Sequence, residues 1–222
     1  MLKVSVFPGV VGIDVARALD AAMADLRSCR RLIVDLRGNP GGGIGGLRLM
    51  SYLTPGKVPV GYSLTRRRAM NGFDREHLTK FGRIPMRKIE LFGLALRFAF
   101  AEKSIALVTE GLGHQPFHGA MVVLVNEHTA SASEMIAAFA AENRLATIVG
   151  ANTAGRLLSG DSFKLPHGYV LTLPVGAYYT WGGRLLEATG VAPDVPVELS
   201  YEALRAGRDD QLEAALDTVE RI

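Results

Sequence analysis

A short apolar run passes directly into a glycine-rich segment, and this junction limits the folds open to the chain. Arg31–Leu36 (RLIVDL) is almost continuously apolar and β-branched, which is typical of a strand buried on both faces. The next ten residues, Arg37–Gly46, contain six glycines, and Ile44–Leu53 then has the pattern of a helix that ends before Pro55. A strand, a glycine-rich turn and a helix make a βα unit. We therefore expect a layered α/β fold with parallel strand pairing.

The same alternation of strand and helix patterns continues along the 222 residues, a length that favours a single domain. Apolar residues spaced three or four apart predict helices, and short apolar or alternating runs predict strands. The predicted helices are Val11–Arg27, a stretch within Glu127–Arg144, and Asp209–Arg221. The other predicted strands are Leu2–Val6, Ala120–Asn126, Ala146–Gly150, Tyr169–Val175 and Ala177–Thr180.

Composition excludes several classes of protein. A hydrophobic content of 48% with 21% charged residues is that of a globular chain rather than a disordered one. Cys29 is the only cysteine, which excludes a disulfide framework and a multi-cysteine zinc site. No apolar run approaches the ~20 residues of a membrane-spanning helix. The histidines four residues apart, His114 and His118, fall in a predicted loop rather than a helix, and no HExxH motif is present, so we expect no metal and no cofactor.

Positive charge is concentrated in the middle of the chain. Residues 65–103 hold ten Lys and Arg against four Asp and Glu, whereas the remainder holds fifteen against eighteen. We interpret residues 57–110 as a basic, mostly helical insert, with Leu91–Ala101 as a buried or partner-facing helix. A partner-facing role remains an alternative to a solvated lid, but the segment has no nucleic-acid-binding signature, so we expect no nucleic-acid partner.

The glycine-rich segment Arg37–Gly46 can bring backbone N–H groups close to a ligand. It is neither a P-loop, because no Lys-Ser/Thr pair follows it, nor a dinucleotide fingerprint, because the GxGxxG spacing is absent. A plain flexible turn and a cradle for an oxyanion both remain open. Asp35, Arg37 and Asn39 flank the loop, and we expect their side chains to hold it in shape by hydrogen bonds.

A second segment, Asn126–Glu134 (NEHTASASE), lies between a predicted strand and a predicted helix. A serine at such a corner can present its hydroxyl beside the N–H groups of the helix N-terminus, where negative charge is stabilised. The alternative is a purely structural cap, in which Thr129, Ser131 or Ser133 caps the helix and Glu134 completes a capping box.

Four ordered blocks, DLRGNPGGG, VVLVNEHTASASEM, ATIVGANTAG and GGRLLEATGVAPDV, together cover nearly the whole chain. In order and spacing they resemble the tail-specific (C-terminal processing) serine peptidase family. The resemblance implies a Clp protease/crotonase-like α/β core with layered sheets and flanking helices. It also implies endoproteolysis of peptides or unfolded polypeptides, without a cofactor.

Carried over residue by residue, the resemblance implies that Ser131 is the nucleophile. Ala132 would supply one oxyanion-hole N–H, and Gly41, the first glycine of the Asn-Pro-Gly-Gly turn, would supply the other. The chain departs from many relatives at Arg156, where a Ser–Lys dyad would place its lysine. A guanidinium does not give up its proton, so Arg156 cannot act as a general base. We expect an ion pair between Arg156 and Glu142, and no working dyad in Arg156→Lys.

A tricorn-like branch of the same family pairs its serine with a histidine and a glutamate. Glu187 stands three residues before Gly190-Val-Ala-Pro-Asp194 and fits that glutamate. Within this chain His128 and Lys164 are weaker candidates for the base. The branch takes its histidine from an upstream region, so we interpret residues 1–222 as a catalytic core from a longer protein that carries a PDZ module.

We therefore predict a serine endopeptidase. Two other functions remain open: an inactive peptide-binding domain of the same fold, and a crotonase-type acyl-transfer enzyme, for which no coenzyme motif is found. A homo-oligomer, the substrate's identity and the cellular compartment are left open by the sequence.

Overall fold

A computed structural model of the chain describes residues 1–9, 12–86, 90, 104–112 and 117–222, and within them two five-stranded sheets. The strands are β1 (Leu2–Lys3), β2 (Arg31–Asp35), β3 (Pro59–Thr65), β4 (Thr79–Phe81), β5 (Ile105–Val108), β6 (Ala120–Val125), β7 (Thr147–Gly150), β8 (Leu158–Lys164), β9 (Val170–Thr180) and β10 (Val195–Pro196). The helices are α1 (Ile13–Asp25), α2 (Gly46–Tyr52), α3 (Arg66–Asn71), α4 (Ala132–Glu142), α5 (Tyr201–Arg205) and α6 (Asp210–Arg221). The predicted α/β class is confirmed.

The first sheet is parallel, with strand order β1-β2-β6-β7-β10. Its two central strands, β2 and β6, pair from Arg31 opposite Ala120 to Asp35 opposite Leu124. Both strands are buried almost throughout, as the continuous apolar runs predict. Parallel strands end at the same edge, so the loops after β2 and β6 lie next to each other.

Helices cover both faces of this sheet. On one face, α6 packs Ala215 and Val219 against Ile33, Val122 and Val149. On the other face, the main core includes residues of α1, α2 and α4, among them the fully buried Ile136 and Phe139. Helix α4 is buried along most of its length because its sequence is mainly alanine with a few larger apolar residues. Its N-terminus is therefore held firmly at the edge where β6 ends.

The second sheet has strand order β4-β5-β3-β9-β8 and is mostly antiparallel. Strands β3, β4 and β5 lie within residues 57–110, so the described part of this segment differs from the predicted, mostly helical insert. The difference has a physical reason. Val58–Thr65 is rich in residues that fit a pleated surface, and the only α-helix whose full range lies among the described residues of this segment is the short α3. The predicted helix Leu91–Ala101 lies outside the described residues.

Within the described ranges, no helix is both long and apolar enough to cross a membrane. The same part of the chain contains no group of three or more His, Cys, Asp or Glu side chains placed to hold a metal ion.

Candidate active site

Ser131 occupies the corner between β6 and α4, immediately before the first turn of the helix. Its backbone has φ 54° and ψ −121°, a region that residues with a Cβ rarely occupy. The Ser131 N–H lies 3.1 Å from the carbonyl oxygen of Arg156 and 2.9 Å from Oε2 of Glu134. A strained backbone persists only where its surroundings hold it in place, and both contacts do so here.

The Glu134 carboxylate is a buried hub of this corner. Its Oε2 accepts hydrogen bonds from the backbone N–H groups of Ser131 and Arg156, at 2.9 and 3.0 Å. Its Oε1 accepts from the hydroxyl of Thr153 and the N–H of Gly155, at 2.6 and 2.7 Å. The side chain is completely buried, and these four bonds replace the water that an ionised carboxylate loses on burial. Glu134 thus ties residues 153–156 to Ser131.

The glycine-rich loop lies against Ser131. At Gly41, which has φ 90°, an added Cβ would come within 2.6 Å of the Ser131 Cβ, so only glycine fits. The Gly41 N–H donates to Oδ1 of Asn39 at 2.8 Å, and the Asn39 amide in turn donates to the carbonyl of Val4. The N–H that we predict as an oxyanion-hole donor is therefore occupied within the protein.

The N–H groups of Gly42 and Ala132, at the same corner, differ from that of Gly41 because they have no acceptor among the described residues. Neither the Gly42 N–H nor the Ala132 N–H donates to another described residue, and both residues line the same cavity as Ser131. Gly42 is carried on a backbone bridge to Phe7, in which Phe7 N–H donates to Gly41 and Gly43 N–H donates to Phe7. The geometry therefore makes Gly42, rather than Gly41, available as the partner of Ala132.

The base of the glycine-rich loop is clamped by Arg37. Its guanidinium makes a bidentate contact with Asp35, both bonds at 3.0 Å, and reaches Asp209 at 2.8 Å. Burial alone lowers the pKa of Arg37, but its hydrogen bonds to the two carboxylates outweigh this effect and raise that pKa. The hydrogen bond from Arg37 holds the pKa of Asp209 below its usual value. Asp35 and Asn39 bond to nearby backbone groups, as we predict, whereas the side chain of Arg37 bonds to other side chains instead.

A largely apolar cavity of about 330 Å³ opens beside Ser131. Its walls come from the glycine-rich loop, from α2 and α4, and from the second sheet. Leu47, Met50, Leu107, Met135, Leu157 and Tyr178 supply most of its apolar lining. Burial raises the pKa of Tyr178, and its hydroxyl donates to the Val60 carbonyl at 3.2 Å. The cavity is therefore suited to an uncharged side chain.

Glu187 reaches this region through Leu157. Its Oε2 accepts from the Leu157 N–H at 2.6 Å, and no hydrogen bond of its Oε1 to another described residue is found. Leu157 lines the cavity and follows Arg156, so Glu187 supports the cavity wall. The structure brings Glu187 to the rim of the site without a direct hydrogen bond to Ser131.

Arg156 and Glu142, for which we predict an ion pair, form none in the described parts of the chain. Arg156 is exposed and lies at the N-terminal end of α4, whereas Glu142 is the last residue of that helix. An eleven-residue helix separates its ends by about 15 Å, which explains why the two side chains do not meet. Glu142 instead lies beside Gly182 and adds to the raised pKa of Tyr178.

The candidate bases within the chain are not joined to the serine. The side chain of His128 is 73% exposed and lies 3.5 Å from Glu127. His77, His118, His167 and Lys164 are also exposed, and His114 lies outside the described residues. Among the residues that the structure describes, no hydrogen bond links a histidine or lysine side chain to Ser131.

Sequence reasoning missed three features of the site. The four hydrogen bonds of Glu134 were indicated only by a capping-box pattern. No sequence signal showed that the Gly41 N–H bonds to Asn39 while the Gly42 N–H has no partner among the described residues. Asp209 is 172 residues from its partner Arg37. Contacts between distant segments are invisible in a local pattern.

Comparisons with known proteins support the family resemblance that the four sequence blocks indicate. The family described as "Peptidase family S41" matches residues 1–197. A carboxyl-terminal-processing protease of Synechocystis is 38% identical over 100 residues, which are 44% of this chain and 23% of that protein. Carboxyl-terminal-processing peptidase 3 of Arabidopsis thaliana is 30% identical over 164 residues, which are 73% of this chain and 25% of that protein. The chain thus spans about a quarter of the length of these relatives.

The fold is similar to that of a solved structure, the photosystem II D1 C-terminal processing protease. The TM-score is 0.63 at 21% identity, covering 88% of this chain and 41% of that one. At that identity the likeness concerns the fold alone.

Proposed function

This chain belongs to peptidase family S41, and from that premise we propose that it is a serine endopeptidase domain that cleaves peptides or unfolded polypeptides with Ser131 as nucleophile. The observation that carries the proposal is the position of Ser131. It stands at the N-terminus of α4, in a strained conformation, beside two N–H groups without a partner among the described residues and an apolar cavity. That combination suits the attack of a hydroxyl on a carbonyl carbon.

The oxyanion hole of the proposed reaction consists of the N–H groups of Ala132 and Gly42. When the Ser131 oxygen bonds to the scissile carbonyl carbon, the carbonyl π bond breaks and its oxygen becomes negative. Both N–H groups and the positive end of the α4 dipole favour that charge. Loss of one such donor typically costs about 2.7–4 kcal/mol of transition-state stabilisation. Gly41 keeps a different role, since its missing side chain lets the loop approach Ser131.

The Ser131 proton must pass to a general base and then to the leaving amine. Arg156 cannot accept it, because a guanidinium stays protonated in proteins. We propose a histidine from outside the described residues for this step, oriented by the Glu187 oxygen that carries no hydrogen bond from the described residues, in the logic of a triad. Water then attacks the acyl carbon in place of the amine. The base takes the proton of the water and returns a proton to the Ser131 oxygen as the ester bond breaks, which releases the carboxylic acid product.

The test uses a fluorophosphonate probe, which forms a covalent bond with activated serines. We expect labelling of Ser131 that disappears in Ser131→Ala and persists in Ser133→Ala. Ser133 is a matched control because its hydroxyl is completely buried two residues further on. Hydrolysis of casein should follow the same pattern, and a folded chain that neither labels nor cleaves would refute the proposal.

An inactive peptide-binding domain is the second candidate function. Arg156 in place of a lysine favours it, together with the exposed positions of the described histidines. This candidate predicts that an unfolded polypeptide binds without being cleaved, and that Ser131→Ala binds it equally well.

A further inference from the structure

Strand β8 is an open edge of the second sheet and begins at the cavity beside Ser131. It pairs with β9 on one side and, among the described residues, with no strand on the other. Its first three residues, Leu158, Ser159 and Gly160, line the cavity together with Ser131 and Gly42. An edge strand with unpaired backbone groups is a template for an added strand.

The direction of the backbone groups of β8 follows from one hydrogen bond. The Leu165 N–H donates to the Tyr169 carbonyl at 2.8 Å, so Leu165 faces β9. Since successive residues of a strand point their N–H and C=O groups to opposite sides, Phe163 and Asp161 also face β9. Ser162 and Gly160 consequently direct theirs to the open edge.

The contacts of these two residues agree with that assignment. Gly160 lies opposite Pro174, which has no N–H for a ladder bond. The Ser162 N–H is 3.0 Å from Oδ1 of Asp161, an adjacent side chain rather than a neighbouring strand. An incoming backbone carbonyl can replace that local acceptor.

We propose that the substrate polypeptide binds as an extended strand added to the open edge of β8, with its backbone paired to Gly160 and Ser162. The inference rests on the proposed function, because it places that substrate beside Ser131. The added strand would lie between β8 and the glycine-rich loop and would lead its scissile carbonyl towards Gly42 and Ala132. Backbone pairing supplies affinity, and side chains that alternate along the strand supply selectivity.

The side chains of the β8–β9 hairpin indicate which substrate segments bind preferentially. Ser159, Asp161 and Phe163 alternate on one face of β8, the face on which Ser159 meets Ser63 at the cavity wall. Leu171 and Leu173 of β9 lie opposite Phe163 and Asp161 on the same face. These three apolar side chains are 42–44% exposed. The edge therefore selects extended, apolar segments, which folded proteins keep buried and unfolded chains expose.

The experiment removes one edge N–H without breaking the β8–β9 ladder. Proline is tolerated in an edge strand where the lost N–H faces outwards, which is the case in Ser162→Pro. The matched control is Thr172→Pro, directly opposite, whose lost N–H faces the other edge of the hairpin. Both variants also lose the same hydrogen bond between the Ser162 and Thr172 hydroxyls, at 3.0 Å.

Binding is measured in the Ser131→Ala background, by fluorescence polarisation of a labelled peptide of alternating leucine and serine. This measurement does not need turnover. A negative result can therefore be distinguished from a failure of the probe labelling that tests the proposed function. We expect Ser162→Pro to weaken binding about fivefold and Thr172→Pro less than about twofold, since one backbone hydrogen bond is worth about 1 kcal/mol. Equal affinities in the two folded variants would overturn the inference.

A second measurement decides the matter if Ser162→Pro does not fold. Peptides N-methylated at single successive positions are bound to Ser131→Ala alone. Strand addition predicts losses of affinity at every second position, because only alternate N–H groups face the protein. A uniform loss, or none, overturns it.

Discussion

The Glu134 carboxylate accepts a hydrogen bond from the backbone N–H of Ser131, three residues upstream, at 2.9 Å. The same oxygen accepts from the Arg156 N–H, so one side chain fixes both the proposed nucleophile and the residue at the position where a Ser–Lys dyad would place its lysine. Glu134 is therefore a positioning residue for the proposed nucleophile, although its charge is buried away from the cavity.

Replacing Glu134 by glutamine should lower both the stability of the fold and the reactivity of Ser131. An amide has one oxygen acceptor, and its NH₂ group would face N–H donors that now bond to the carboxylate. We expect the free energy of unfolding to fall by about 1–3 kcal/mol, which is the cost of leaving a buried polar group without a hydrogen bond. Thermal denaturation and the rate of fluorophosphonate labelling measure the two effects. Thr153→Val removes one of the four bonds to Glu134 and also the bond from the Val191 N–H to the Thr153 hydroxyl, at 2.7 Å. It should therefore lower stability as well, but slow labelling less than Glu134→Gln does. An unchanged labelling rate in folded Glu134→Gln would contradict the positioning role.

Substituting alanine for Gly41 should abolish reaction at Ser131. Gly41 and Gly38 both have positive φ, but an added Cβ meets Ser131 only at Gly41 and meets nothing within 4 Å at Gly38. Gly38→Ala should cost only about 1–2 kcal/mol of backbone strain and keep its probe labelling. Comparing labelling rates of the two variants at a temperature where both are folded isolates the steric contact. Similar rates would show that the close approach does not matter.

Asp209→Asn should remove an ion pair while keeping the N-cap of α6, because asparagine caps a helix as well as aspartate does. The folded-state pKa of Asp209 is lowered, so its contribution to stability is present above the unfolded pKa of about 3.9 and is lost as pH falls through the folded value. The melting temperature of the parent should therefore exceed that of Asp209→Asn at pH 7, and the gap should close below about pH 4. A gap that persists at pH 2 would count against the ion pair.

Arg156→Lys should not change stability, since the side chain is exposed and has no ion pair within the described residues. A lysine in such a position keeps a pKa near 10.4 and stays protonated at pH 7, so we expect no gain in probe labelling there. Since the side chain at position 156 is exposed, labelling of Arg156→Lys should also match that of Arg156→Gln as pH approaches 10, where the amine begins to lose its proton. A rise with pH in Arg156→Lys alone would show a working dyad and would contradict this prediction.

Much of the architecture could be predicted because it depends on local patterns. The sequence predicted β2 and β6 from their apolar runs. It also predicted a serine at the β6–α4 corner and a glycine-rich loop after β2. The pairing of Arg156 with Glu142 failed because spacing along the chain says nothing about which end of a helix a residue occupies. We did not predict β3, β4 and β5 within residues 57–110, because the sequence pattern is least regular there and β4 and β5 have only three and four residues. Gly42 could not be chosen over Gly41 without knowing that Asn39 occupies the Gly41 N–H.

The contact between Arg37 and Asp209 can form only late in the synthesis of this chain. Asp209 follows every other residue of the candidate site along the chain, and it lies beyond residues 1–197, the part that matches the family. A ribosome therefore releases the glycine-rich loop and Ser131 well before Arg37 can meet its distal partner. The loop of a nascent chain lacks this anchor until residue 209 has emerged, so the glycine-rich loop acquires its full set of contacts only after β2, β6 and α4 have been synthesised.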